Sequence, residues 1–283
     1  MDNFNVYKDI QARTKGEIYI GVVGPVRTGK STFIKRFMEL AVLPAMEDES
    51  LKAVSTDELP QSAGGKTVMT TEPKFIPKEA VQITLGDGIQ AKVRLIDCVG
   101  YMVDGAAGHV ENGEERMVKT PWSEKEIPFT QAAQIGTRKV IGDHSTIGIV
   151  VTTDGSVGEL KRSAYIDAEK QTVDELKKLG KPFILLLNST KPYSDETLKL
   201  AEQLAADYGV TVLPVSCEQL KKEDIFHILE SVLKEFPVTQ LDFHIPKWLE
   251  VLPATHWLKT QVIDMARELL KKVSHMKDAA SQI

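Results

Sequence analysis

Eight consecutive residues, Gly24-Pro25-Val26-Arg27-Thr28-Gly29-Lys30-Ser31, constrain this chain more than anything else in it. They fit the P-loop pattern G-x-x-x-x-G-K-[ST]. The two glycines let the backbone curl so that successive N–H groups converge on an anion. Lys30 supplies a point charge suited to β- and γ-phosphates, and Ser31 a hydroxyl suited to Mg²⁺. The flanks agree. Residues 17–23 (Glu-Ile-Tyr-Ile-Gly-Val-Val) read as a buried strand, and Phe33, Ile34, Phe37, Met38 and Val42 fall at helical spacing over 31–43. A strand, a glycine loop and a helix N-terminus make an anion site with the helix dipole aimed into it. The expected nucleotide contacts are Gly24, Val26, Arg27, Thr28, Gly29, Lys30, Ser31 and Thr32.

A chain of 283 residues with 42% hydrophobic content and net charge −5 reads as a globular α/β protein with no field favouring nucleic acid. Cys98 and Cys217 lie far apart in apolar settings and read as core thiols in a reducing compartment. Residues 1–4 open no signal peptide, and no apolar run approaches transmembrane length. The expected location is cytoplasmic, with peripheral membrane association through another protein left open.

Strand-like runs at 81–85, 91–96, 145–153, 183–187 and 210–215 alternate with helical patterns at 166–179, 195–208 and 224–236. That alternation predicts a P-loop, GTPase-like three-layer α/β sandwich. Its sheet is mostly parallel, and the Gly86-Asp87-Gly88 hairpin signal adds one antiparallel strand. Residues 1–245 form the nucleotide domain in this reading. Insertions lie at about 44–66, a loop or partly helical, and at 101–130, expected to be exposed and mobile. Residues 246–283 read as a helical connector. There Leu258, Val262, Met265, Leu269, Val273 and Met276 form an apolar stripe on a predicted helix. That helix either docks on the core, links to a further domain or self-associates.

Asp97-Cys98-Val99-Gly100 follows the strand end Leu95-Ile96. A carboxylate at that tip suits a hydrated Mg²⁺, and the Gly100 N–H suits the γ-phosphate. Between the two motifs, Thr70 and Thr71 are the candidate switch threonines for Mg²⁺ and the γ-phosphate, with Thr67 a weaker one. The candidate catalytic set is Lys30, Asp97, Thr70 and Thr71, and the metal set Ser31, Thr70, Thr71 and Asp97. GTPases of this fold read guanine with Asn-Lys-x-Asp. Here the run is Asn188-Ser189-Thr190-Lys191. An ammonium cannot accept from guanine, so the sequence favours ATP over GTP. Ser216 sits where a base-contacting loop is expected. Tyr101 occupies the place of the usual water-orienting Gln, so slow intrinsic hydrolysis is expected unless a neighbouring subunit adds a group. Arg27 either reaches the phosphates or points to solvent.

Several stretches together resemble the stage IV sporulation protein A family, the morphogenetic ATPases of endospore-forming Firmicutes, within the translation-factor class of P-loop proteins. These are Gly21-Val22-Val23-Gly24, Val26 with the residues through 33, Asp57-Glu58-Leu59-Pro60-Gln61-Ser62, residues 69–75, residues 97–101, Gly136-Thr137-Arg138-Lys139-Val140-Ile141 and His144-Ser145-Thr146-Ile147-Gly148. The resemblance implies ATP hydrolysis on a GTPase-like fold that accompanies self-assembly into the basement layer of the spore coat. It implies further domains after the first. It also implies recruitment by a small amphipathic membrane-anchor protein, contacts with other spore coat proteins, and a mother-cell location at the forespore outer membrane. By position it makes Lys30 the phosphate-binding lysine, Asp97 the Walker B carboxylate, and Thr70 and Thr71 sensor threonines. A nucleotide-gated scaffold with negligible turnover and a GTP switch are the competing readings.

Overall fold

The computed structural model describes residues 16–60, 73–84, 90–106, 110–111 and 114–278. Thr67, Thr70, Thr71 and the Gly86–Gly88 turn lie outside these residues. Six strands form the main sheet: β1 (Glu17–Val23), β2 (Lys74–Thr84), β3 (Gln90–Asp97), β8 (Ile147–Thr153), β9 (Phe183–Asn188) and β10 (Val212–Val215). Their spatial order is β2-β3-β1-β8-β9-β10. β2 runs antiparallel to β3, and every other neighbouring pair is parallel.

The side-chain period of two splits each central strand between two cores. Ile18, Ile20 and Val22 of β1 pack with Phe33, Ile34 and Phe37 of α1 (Lys30–Phe37) and with Ile225, Ile228 and Leu229 of α6 (Lys222–Leu233). On the other face Val23, Ile96, Val150 and Leu185 pack with Val173 and Leu176 of α4 (Ile166–Lys178) and with Ala201 and Leu204 of α5 (Asp195–Tyr208). The result is the expected three-layer sandwich. Because five strands are parallel, the segments after Val23, Asp97, Thr153, Asn188 and Val215 all emerge along one edge of the sheet, where α/β folds bind ligands.

The structure corrects several sequence expectations. The helix predicted over 31–43 is α-helical only to Phe37. It widens into a π-turn over Met38–Val42, which keeps Met38, Ala41 and Val42 buried, and Pro44 sits in the short 3₁₀ turn that follows. The 44–66 insertion contains α2 (Glu49–Asp57), capped by the Asp48 carboxylate, which accepts from the Ser50 and Leu51 amides at 2.8 and 3.2 Å.

The segment predicted to be exposed at 101–130 is partly built into the fold. Tyr101, Val103 and Ala106 are buried. β4 (Val110–Glu111) pairs with β5 (Glu114–Glu115), and β6 (Met117–Thr120) with β7 (Ser123–Pro128). The second ribbon leads into α3 (Phe129–Lys139), and the Arg116 guanidinium lies over the Phe129 ring.

The C-terminal stripe does not lie on one helix. α7 (Lys247–Glu250) is short, and α8 (Trp257–Lys272) ends before Val273. None of the α8 residues is buried. Docking is done by the chain after α8: Val273 and Met276 are buried, Met276 N–H donates to Phe236 O, Val238 N–H donates to Ser274 O, and Lys277 pairs with Glu235 at 2.8 Å. The apolar stripe therefore divides between an exposed helix and a docked return.

One buried charge cluster holds the loop after β8. Glu169 of α4 is fully buried and accepts from Arg162 at 2.5 and 2.7 Å, from the Tyr208 hydroxyl at 2.8 Å and from the Thr152 hydroxyl. Removing one member of such a group strands the rest. Glu169→Gln should lower unfolding free energy by about 3 kcal/mol in urea titrations. A loss under ~1 kcal/mol would mean that the cluster does not hold the loop.

Candidate functional site

The site forms at the strand edge where β1 and β3 end side by side, with Val22 opposite Asp97. Gly29 takes φ 99° ahead of α1, a state that L side chains rarely adopt, and a Cβ there would fall 2.3 Å from Asn188 Nδ2 and disturb its bonds. α1 has neither an acidic residue in its first turn nor a side-chain cap, as α3 also has neither, whereas α4, α5 and α6 carry acidic residues there. What sets α1 apart is that its N-terminus opens directly from the glycine loop that carries Lys30, an arrangement suited to an anion.

Lys30 is 6% exposed, and its Nζ donates to Pro25 O at 2.6 Å and to Gly24 O at 3.2 Å. An ammonium has three donors, so one remains for a phosphate. Burial pulls Lys30 below the ordinary lysine range, a pull that nearby Cys98 and Asp97 oppose. Across from it, burial pushes Asp97 up to about 6, with the Lys30 charge opposing. Asp97 Oδ1 is buried with no hydrogen-bond partner among the described residues. A carboxylate oxygen in that state fits a hydrated divalent cation, and the Ser31 hydroxyl at the start of α1 is the matching second donor. Among the described residues no cluster of three His, Cys, Asp or Glu side chains suggests any other metal site.

The two phosphate-facing loops are tied together. Val26 N–H donates to Tyr101 O at 2.9 Å, and Pro25 and Tyr101 form a parallel bridge. Gly100 takes φ 91°, and a Cβ there would lie 2.0 Å from Gly24 O and 2.7 Å from Lys30 Nζ. The Thr28 hydroxyl donates to Pro25 O at 3.0 Å. Asn188 joins the third loop to the first. Its amide donates to Thr28 O at 2.9 Å and its oxygen accepts from Cys217 N–H at 3.0 Å. Asn188 thus binds the P-loop to the turn that carries Ser216.

Ser189 is turned inward, accepting from Lys191 N–H at 3.0 Å, whereas Lys191 is exposed. Tyr101 is 1% exposed and packs with Val26, Val103, Ala106, Tyr165 and Ala168, so its ring belongs to an apolar cluster. Ser31 and Thr32 open α1, half-exposed. Arg27 takes φ 62°, the one positive φ at a non-glycine among the described residues, a backbone state that costs roughly 1 kcal/mol.

Together the topology and the loop geometry define a P-loop nucleoside triphosphatase domain of GTPase-like build. The family model described as "Stage IV sporulation protein A, ATPase domain" matches residues 1–237, and the model for the middle domain of the same protein matches 238–283. The chain belongs to the stage IV sporulation protein A family and carries its ATPase domain. It is 49% identical over 278 residues to Stage IV sporulation protein A of Bacillus subtilis (strain 168), and 49% identical over 278 residues to that of Bacillus anthracis. Identity to the Clostridioides difficile (strain 630) protein is 49% over 276 residues. Each match covers 98% of this chain but 56% of the relative, so the chain spans little more than half their length.

Sequence reasoning missed the Glu169–Arg162 pair and the buried Tyr165 beneath the P-loop. The Glu and Arg are seven residues apart, and no local pattern marks them as partners.

The Asp97 shift has a definite sign. Its folded pKa is about 6 against an unfolded 3.8, so the native state holds the proton longer. Stability from this group therefore falls as pH rises from 3.8 to 6, and the full cost applies above that. Asp97→Asn should stabilise the nucleotide-free chain by about 2–3 kcal/mol at pH 7.5, a gain that fades toward pH 4. Urea titrations at several pH values check this, and equal stability of the two proteins at pH 7.5 contradicts it.

Proposed function

We propose that this chain binds ATP with Mg²⁺ and hydrolyses it to ADP and phosphate, and that hydrolysis accompanies self-assembly of a spore coat basement layer. The carrying observation is the buried Lys30 ammonium beside an uncapped, carboxylate-free helix N-terminus. In this reading the amides of residues 26–31 and the third Lys30 donor hold the β- and γ-phosphates. Ser31 and Asp97 hold Mg²⁺, which neutralises phosphate charge when bound. Gly100 N–H meets the γ-phosphate, and Thr70 and Thr71 complete the γ-phosphate and metal contacts. Asn188 fixes the loop that faces the base, and Ser216 borders it.

Lys191 favours adenine. It stands where a carboxylate would be needed to accept from guanine, and an ammonium cannot accept. Tyr101 in its apolar cluster cannot orient water, which supports slow turnover. Residues 1–245 act as the ATPase domain and 246–283 as a helical connector. The family name supports a role in sporulation. From it we infer partners that include copies of the chain, a small amphipathic membrane-anchor protein and other coat proteins. We place the chain in the mother-cell cytoplasm at the forespore outer membrane. No described helix is long and apolar enough to cross a membrane.

Lys30→Ala should weaken ATP binding at least 100-fold by calorimetry, since a charge-assisted contact in a water-poor site is lost. In competition the wild type should prefer ATP to GTP. Equal ATP binding by the Lys30 variant, or preference for GTP, would overturn the reading. The double variant Thr70→Ala with Thr71→Ala should lose phosphate release while keeping ATP affinity within about tenfold, because the P-loop stays intact. Complete loss of ATP binding would mean that these threonines do not act as γ-phosphate sensors.

A further inference from the structure

Arg27 holds a backbone conformation that an L-residue rarely adopts, in the middle of the P-loop. Glycine would sit there without strain. A long cation held in that strained state within the P-loop is a candidate for function. The residues on either side are buried and hydrogen-bonded. Val26 is 2% exposed and tied to Tyr101 O, while Thr28 is fully buried and tied to Pro25 O and to Asn188. The root of the Arg27 side chain is therefore fixed, while the residue itself is only half-buried at the mouth of the cradle.

Below it lies Tyr165. The ring is fully buried against Val26 and Tyr101, and its hydroxyl is buried without a hydrogen-bond partner among the described residues. Burial raises the Tyr165 phenol above its ordinary range, and the Arg27 charge is near enough to offset part of that rise. A phenol oxygen can accept from a guanidinium, so the buried Tyr165 hydroxyl, packed under Val26, is a candidate acceptor for Arg27. The site needs such a group. Tyr101, in the sequence place of the usual water-orienting Gln, packs in an apolar cluster, and two of the three Lys30 donors are spent on Gly24 and Pro25.

We propose that Arg27 is a catalytic arginine, delivered by the P-loop of the same chain to the γ-phosphate, with Tyr165 as its positioning residue. The inference rests on the ATPase reading above and assigns it a group. In the step, water oxygen bonds to the γ-phosphorus as the bond from that phosphorus to the β–γ bridging oxygen breaks. The electron pair of that bond leaves with ADP, and the proton of the water ends on phosphate. Arg27 forms no covalent bond. Its guanidinium stabilises the charge that builds on the bridging and γ-oxygens.

The test uses the chain with Arg27→Gly, Arg27→Lys and Tyr165→Phe, beside Lys30→Ala. Arg27→Gly should melt at or above the wild-type temperature, since glycine suits φ 62°. It should bind ADP with Mg²⁺ within about twofold of wild type, yet release phosphate at least about 100-fold more slowly in single turnover. It should also fail to trap ADP with aluminium fluoride, a mimic of the transferring phosphoryl group. Arg27→Lys should recover part of the rate, and Tyr165→Phe should lower the rate more than it raises KM.

Wild-type turnover and trapping by Arg27→Gly would overturn the proposal. Loss of ADP binding to the extent seen in Lys30→Ala would overturn it too, by making Arg27 an ordinary binding cation. If the wild type bound neither ADP nor ATP, the ATPase reading itself would fall, and this inference with it.

Discussion

A lysine ammonium buried on the carbonyls of its own loop is the interaction on which this structure turns. Lys30 gives up most of its hydration and regains only two main-chain acceptors, with no carboxylate within ion-pair distance among the described residues. A charge so placed is costly unless an anion completes its shell. Asp97 faces the reverse problem a short distance away, with a buried oxygen that no described donor satisfies. A triphosphate with its magnesium would answer both, bringing negative charge to the lysine and positive charge to the carboxylate. The unfavourable burial of Lys30 and the affinity proposed for a triphosphate are the same electrostatic fact.

The rest of the domain keeps these groups in place. Parallel strands deliver five loops to one edge, and hydrogen bonds then join loop to loop: Val26 to Tyr101, Thr28 to Asn188, and Asn188 to Cys217. Gly29 takes a backbone state that L side chains rarely adopt, and Gly100 permits an approach to Gly24 O that any Cβ would block. The Glu169 cluster fixes the segment between β8 and α4, and with it the Tyr165 ring under the P-loop.

Much of the fold was legible in the sequence because it follows from local rules. The 195–208 helix is bounded as expected, with Gly209 at φ 60° closing it. The β1–loop–α1 unit follows from glycine positions and an apolar run. What was not legible depends on tertiary contact. The π-turn at Met38–Val42 arises where three side chains are buried and Pro44 follows. The return of Val273 and Met276 to the core was hidden because their spacing from Leu269 is also helical. At the site, residue types named Lys30, Asp97 and Gly100 from their motifs. The inward turn of Ser189, the apolar packing of Tyr101 and the partnership of Asn188 with Cys217 come from chain segments far apart in sequence. Thr70 and Thr71 rest on the sequence alone.

Whether the buried lysine and the amides around it hold a triphosphate can be read from a crystal structure of the chain with Mg²⁺ and a non-hydrolysable ATP analogue. The expected result is β- and γ-phosphate oxygens within hydrogen-bond distance of Lys30 Nζ and of the amides of residues 26–31, with Lys30 still held by Gly24 and Pro25. A nucleotide bound elsewhere, or one whose phosphates leave Lys30 untouched, would contradict it.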